Sequence, residues 1–316
     1  MTEPSRLRDL PFVDLYIGVG YADAKGMPGA HAPRTPLASM YLDEITQVRE
    51  LCARVHATHG EPEFALPHDD VLYRVTAMND LRAEPVYFVR RMAASIRRFS
   101  ELGVPASLYD FLMQPTTRGL IVICGETTVG KTTTAASLLA ARLSAHGGFA
   151  LAIEDPPETT LDGLHGEGRC IQVPATRRNG HYGEQLRSAM RTGVSTLLIG
   201  EIRDRATAVE AIKHSTNGLT VITTAHAKDP GDAIGRILSY AGSTDIANPQ
   251  DILASGLTCI VHQRMERAGT SVRLLFRTLT VSGKDESAIR TLIRDGRLDQ
   301  ISQIVDSQAR RNLWQS

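Results

Sequence analysis

The run Gly119-Leu-Ile-Val-Ile-Cys-Gly-Glu-Thr-Thr-Val-Gly-Lys-Thr-Thr-Thr134 decides how this chain folds. Its first part, Leu120 to Cys124, is apolar, rich in β-branched residues and too short for a helix, so it reads as a buried strand. Gly125-x-x-x-x-Gly130-Lys131-Thr132 follows, with the spacing of a phosphate-binding loop. Ala135 to Leu143, small and aliphatic, then reads as a helix. Each part answers a chemical need. Glycines let the backbone curl until successive N–H groups converge on phosphate oxygens, and the helix start adds its positive dipole end. The expected phosphate-binding residues are therefore Gly125, Glu126, Thr127, Thr128, Val129, Gly130, Lys131, Thr132 and Thr133. Lys131 is expected to reach the β- and γ-phosphates of ATP, and the Thr132 hydroxyl to ligate Mg²⁺.

Downstream, strands alternate with helical patterns. Phe149 to Glu154, Leu197 to Ile199 and Leu219 to Thr224 read as strands, while Leu186 to Arg191 and Ala206 to His214 read as helical. That alternation implies an α/β domain with a parallel sheet and helices on its faces, and a ligand at the carboxyl ends of the strands. Acidic residues fall at those ends, in Glu154-Asp155-Pro156-Pro157-Glu158 and in Gly200-Glu201-Ile202-Arg203-Asp204. An acidic residue after a strand is commonly a helix cap or part of a turn. Nucleotide hydrolysis also needs carboxylates there, to position water and help hold Mg²⁺. Glu201 above all, with Glu158, is expected to be catalytic. His226 follows Val221-Ile-Thr-Thr-Ala at another strand end, where an imidazole could sense the γ-phosphate.

Upstream lies a smaller pattern. Phe12 to Val19 alternates as a strand, and Tyr21 to Pro36 reads as loop. Leu42, Ile45, Val48, Leu51, Cys52 and Val55 recur at helical spacing over Ser39 to about Thr58. Phe64 to Leu66 and Val71 to Ala77 form a hairpin pattern, and Val86 to Met92 reads as a further strand. Together these make a small α+β domain. Arg90, Arg91, Arg97 and Arg98 cluster near its end, a pattern that a solvated basic face also produces. Gly103-Val-Pro-Ala-Ser107 is the expected linker, dividing the chain into 1–104 and 105–316. A length of 316 residues suits two domains.

The bulk numbers bound the class. Apolar residues make up 42% and charged residues 22%, as in ordinary globular proteins, and the formal net charge is +0, so no global field favours nucleic acid as a partner. No apolar run approaches the ~20 residues of a membrane span, and Met1 to Asp9 has no apolar signal core, so a cytoplasmic location is expected. The four cysteines form no Cys-x-x-Cys pair, so reduced, mostly buried thiols are expected rather than structural zinc.

Taken together, these segments resemble the type II/type IV secretion ATPase superfamily, nearest to its pilus-retraction (PilT) and DotB-like branches. Ile153-Glu-Asp-Pro-Pro-Glu158 resembles the family's Asp box, and Leu186-Arg-Ser-Ala-Met-Arg191 its arginine-bearing helix. Ile199-Gly-Glu-Ile-Arg-Asp204 is similar to its Walker B string and Thr223-Thr-Ala-His226 to its His box. Asp14-Leu15 and Tyr73 to Ala77 look like its amino-terminal PAS-like domain, and Ala288 to Asp295 like a carboxy-terminal motif of the retraction type. The resemblance implies a RecA-like P-loop NTPase domain with a helical C-terminal part. It further implies ATP hydrolysis, a homo-hexamer, and an inner-membrane platform protein as partner at the cytoplasmic face. It implies that arginines of the small domain, Arg74 and Arg90, reach nucleotide across a domain or subunit boundary. Arg187, Arg191 and Arg203 would serve nearer the site. The chain departs from the family at Thr128, Val129, Ser195 and Leu219, where glycine, serine or glycine, aspartate and histidine are usual. Three readings follow: a pilus-retraction motor, a DotB-like energiser of a secretion or conjugation channel, and a weakly hydrolysing nucleotide-binding accessory subunit.

Overall fold

The computed structural model describes residues 6–92, 95–176, 181–242, 246–268 and 271–313. The chain forms two compact units. The first comprises Met1–Ser95 with Asp155–Thr160 and Pro174–His181; the second comprises the remainder.

The first unit is built on β1 (Asp14–Gly18), β2 (Tyr21–Lys25), β3 (Arg34–Pro36), α1 (Leu42–His59), β4 (Glu63–His68), β5 (Val71–Asn79) and β6 (Pro85–Arg91). The six strands form one antiparallel sheet in the order β3-β2-β1-β6-β5-β4. Strict alternation drives β5: Val71, Tyr73, Val75 and Ala77 are buried while the residues between them are not. The helical stripe of α1 buries Ile45, Val48 and Cys52 against this face, beside Leu15, Phe64 and Tyr87. Gly60, at φ 71, ends that helix in the left-handed conformation that favours glycine. The segment 21–36, expected to be loop, instead contributes β2 and β3. β3 is the edge strand and β2 lies between it and β1, but only Ala24 is buried in the two, so they carry almost no apolar alternation to detect.

The second unit contains α2 (Ala106–Met113), β7 (Gly119–Gly125), α3 (Lys131–His146), β8 (Gly148–Glu154), β9 (Gly163–His165) and β10 (Gly168–Pro174). It continues with α4 (His181–Ala189), β11 (Thr196–Ile199), α5 (Arg205–Ser215), β12 (Thr220–His226), α6 (Pro230–Ala241) and α7 (Pro249–Gly256). Then come β13 (Leu257–Ala268), β14 (Ser271–Thr280), α8 (Glu286–Arg294) and α9 (Ile301–Leu313). Its eight strands run in the order β14-β13-β7-β12-β11-β8-β10-β9. The five central strands, β13 to β8, pair in parallel, as the alternation implies. Every residue of β7 is buried, which is why its sequence is a continuous apolar run. Asp204 and Asp229 cap α5 and α6 by accepting from Thr207 N and Asp232 N, each at 2.8 Å. The division falls after Ser95 rather than after residue 104, because Phe99 and Leu102 are buried in the second core with Leu108, Leu112 and Leu138. The hairpin β13–β14 precedes the expected carboxy-terminal helices. Among the described residues, no helix is long and apolar enough to cross a membrane.

Candidate active site

Three strand ends in the second unit converge on one cluster. β7 pairs with β12 over its whole length, with Gly125 opposite His226, and β12 pairs with β11, with Thr223 opposite Ile199. The residue after Ile199 is Gly200, then Glu201. The loop over 125–132, His226 and Glu201 are thus brought together by strand register alone.

The loop takes glycine-specific backbone at both ends. Gly125 and Gly130 take φ 152 and 85. A side chain at Gly125 would meet the Gln263 carbonyl oxygen at 2.3 Å, so only glycine fits there. Gly130 stands at the N-cap of α3, and no side chain caps that helix there. Lys131 follows, buried with Nζ donating to the carbonyls of Gly125 at 3.2 Å and Glu126 at 2.7 Å. The same Nζ lies 3.4 Å from His226 Nδ1. An ammonium can only donate, so Nδ1 accepts and the ring proton sits on Nε2. That nitrogen is 3.2 Å from Glu201 Oε1. A continuous line of polar contacts therefore runs from the loop lysine through the histidine to the carboxylate. Thr132 and Thr133 are half-buried beside the loop, and Glu126, Thr127 and Thr128 are exposed on it. Thr128 has φ 65, a left-handed conformation costly for a β-branched residue. A cavity of about 400 Å³ opens beside the loop, lined by Val129, Thr133 and Thr134 with Arg97, Met265 and Arg273.

The other expected residues have different surroundings. Glu158 belongs to the first unit, and its carboxylate accepts from Arg74 at 3.1 Å; Arg74 also donates to Glu63 at 2.8 Å. Arg90 is held by both oxygens of Asp14, at 2.7 and 3.2 Å, and that pairing pushes its pKa up. Arg187, Arg191 and Arg203 are exposed, Arg187 on α4, Arg191 just past its end and Arg203 after β11. Two residues were missed by sequence reasoning. Glu154, at the end of β8, is almost fully buried and accepts from Gln172 Nε2 at 2.6 Å. Its signal was its place inside the acidic string already singled out. Gln263, fully buried on β13, donates from Nε2 to Val129 O at 2.6 Å. No local motif marks it, since its partner lies 134 positions away.

The family model described as type II/IV secretion system protein matches residues 63–303, more than half of the chain. The chain belongs to the type II/IV secretion system protein family. Within this family it is 35% identical over 165 residues to the type II secretion system protein HxcR of Pseudomonas aeruginosa, covering 52% of this chain and 32% of that protein. It is 27% identical over 231 residues to the type IV pilus retraction ATPase PilT of the same organism, covering 72% of this chain and 64% of PilT. The matched parts thus span about a third of one relative and just under two thirds of the other. The fold matches the crystal structure of the pilus retraction motor PilT with bound ADP at a TM-score of 0.77, with 22% identity over 95% of this chain and 87% of that one. It also matches the ATPase DotB of Legionella pneumophila at 0.74, with 17% identity over 94% of this chain and 85% of that one. The fold of this family member, a parallel-sheet domain following a small antiparallel-sheet domain, is the one seen in PilT and DotB.

Proposed function

We propose that this chain is an ATP hydrolase, the motor subunit of a type IV pilus retraction or related secretion machine. The observation that carries the reading is the line Lys131–His226–Glu201, which sets a carboxylate and its orienting imidazole beside an uncapped helix start. The loop suits a triphosphate: glycine backbone at both ends, a helix start that no side chain caps, and a lysine that can exchange loop carbonyls for phosphate oxygens. The Thr132 hydroxyl would hold Mg²⁺, which neutralises charge on the phosphates when bound. Glu201 accepts a proton from, or orients, the attacking water. His226 keeps that carboxylate aimed and registers the state of Lys131 through its other nitrogen. Glu158 assists, with Arg74 and Arg90 delivered to nucleotide in one rotation state; leaving Glu158, Glu63 or Asp14 would be part of that step. The retraction motor PilT, whose structure holds ADP, supports this assignment by its fold.

On this reading the chain works as a homo-hexamer at the cytoplasmic face of the inner membrane, acting on a platform protein without inserting into the bilayer. The DotB fold match supports a secretion channel as the alternative machine. A second reading, a weakly hydrolysing accessory subunit, draws on Thr128, whose left-handed backbone costs the loop pliancy. Phosphate release from Mg²⁺-ATP by the wild type and by Lys131→Ala separates these readings. A motor shows turnover that Lys131→Ala abolishes; equal near-background rates remove the motor and leave the accessory subunit. Sizing with and without ATP and Mg²⁺ tests the ring, and a strict monomer in both removes it.

A further inference from the structure

We infer that Gln263 is a positioning residue that sets the phosphate loop from the adjoining strand, an inference that rests on the nucleotide-binding reading of that loop. β13 lies parallel to β7, with His262 opposite Cys124, so the next residue, Gln263, stands beside the point where β7 gives way to the loop. It meets the loop at both ends. Its backbone oxygen occupies the space that a side chain on Gly125 would need, and its side-chain amide donates to Val129 O at 2.6 Å. Val129 and Gly130 immediately precede Lys131. Anchoring the Val129 carbonyl outward turns the peptide planes around it, so that the neighbouring N–H groups face the anion side. The same hairpin contributes Met265, Arg273 and Leu274 to the cavity beside the loop, so one element both shapes the loop and walls the cavity.

The acceptor end of the amide locates the role. Gln263 Oε1 is buried and has no hydrogen-bond partner among the described residues. An orphaned buried acceptor is unfavourable, so general stability does not account for a glutamine there. Exchange for methionine, similar in length and apolar, removes that orphan while freeing the Val129 carbonyl. The two changes oppose each other in stability, but only the second moves the loop. A residue of purely structural importance would give the reverse pattern.

The experiment measures ADP and ATP binding, turnover and melting temperature of the full chain as wild type, Gln263→Met and Gln263→Glu. Loss of one loop-setting hydrogen bond is expected to weaken nucleotide binding of Gln263→Met by roughly 10-fold, with KM rising alike, kcat within ~3-fold and nucleotide-free melting nearly unchanged. Gln263→Glu donates to Val129 O only when protonated, so its affinity should recover as pH falls, which the wild type does not show. Wild-type affinity in Gln263→Met, or a fall in melting temperature without loss of affinity, overturns the inference. If Gln263→Met does not fold, a pH-independent affinity in Gln263→Glu overturns it instead. A wild type that binds no nucleotide contradicts the functional reading itself, so the two failures are told apart.

Discussion

Replacing His226 by alanine separates what the imidazole does for stability from what it does for chemistry. Its contact with Glu201 is 3.2 Å long, but the two side chains are 43% and 30% exposed. A contact that open to solvent is worth ~1 kcal/mol or less, or a fall in melting temperature of roughly 2–4 °C for a domain of this size. The catalytic cost is larger. General-base assistance contributes ~10²–10⁴-fold, and a carboxylate displaced by about 1 Å forfeits up to ~10²-fold of it. His226→Ala is therefore expected to lower kcat about 10–100-fold. ADP affinity should hold within ~3-fold, because Lys131 and the glycines of the loop, the groups proposed to hold the phosphates, are left in place. Steady-state phosphate release, ADP titration and thermal melting on one preparation read all three quantities. A kcat within ~2-fold of wild type, with Glu201→Gln inactive under the same conditions, would refute the view that the histidine orients the carboxylate.

Three further outcomes follow from other parts of the second unit. Arg142 is buried and donates to the carbonyls of Leu112, Gln114 and Thr117 at the end of α2, and burial lowers its pKa to about 10. Arg142→Leu orphans the Leu112 carbonyl and strips one donor each from Gln114 O, which still accepts from Thr117 N, and Thr117 O, which still accepts from Thr220 Oγ1. It should cost ~1–3 kcal/mol, a fall of roughly 2–12 °C in melting temperature, and a shift under ~2 °C contradicts this. Thr128→Gly relieves the backbone at φ 65 and should stabilise by about 0.5–1 kcal/mol after glycine's extra unfolded-state entropy, measurable by denaturant titration; destabilisation contradicts the strain. His214 and His262 are buried, and desolvation lowers both pKa values below 6.5. Below that pH the unfolded chain binds more protons than the folded one, so stability is full above about 6.5 and declines as the pH falls beneath it. Melting curves from pH 7.5 to 5.5 should show this decline, with a flat profile as the contrary result.

The parallel sheet was legible because burial on both faces forces continuous apolar runs, as in β7. The loop was legible because its pattern is local: Gly125, Gly130, Lys131 and Thr132 fall within eight consecutive residues. The positions of Glu201 and His226 beside the loop were legible because each falls at a strand end. Strands β2 and β3 were not legible, since only Ala24 is buried in them and a solvated strand needs no apolar alternation. Gln263 was not legible because it acts at long range: register between β13 and β7 creates its contact with Val129. The partners of Arg74 and Arg90 were equally hidden, because Glu158 and Asp14 meet them through tertiary pairing.

Glu201→Gln offers the most direct test of the central claim, that a carboxylate at the end of β11 drives cleavage of a nucleotide held by the loop. The measurement is ATP binding and ATP turnover on the same preparation of this variant and wild type. Turnover should fall by ~10²–10⁴-fold while binding persists, since the amide keeps the shape but cannot take a proton. Turnover equal to that of wild type would contradict the account.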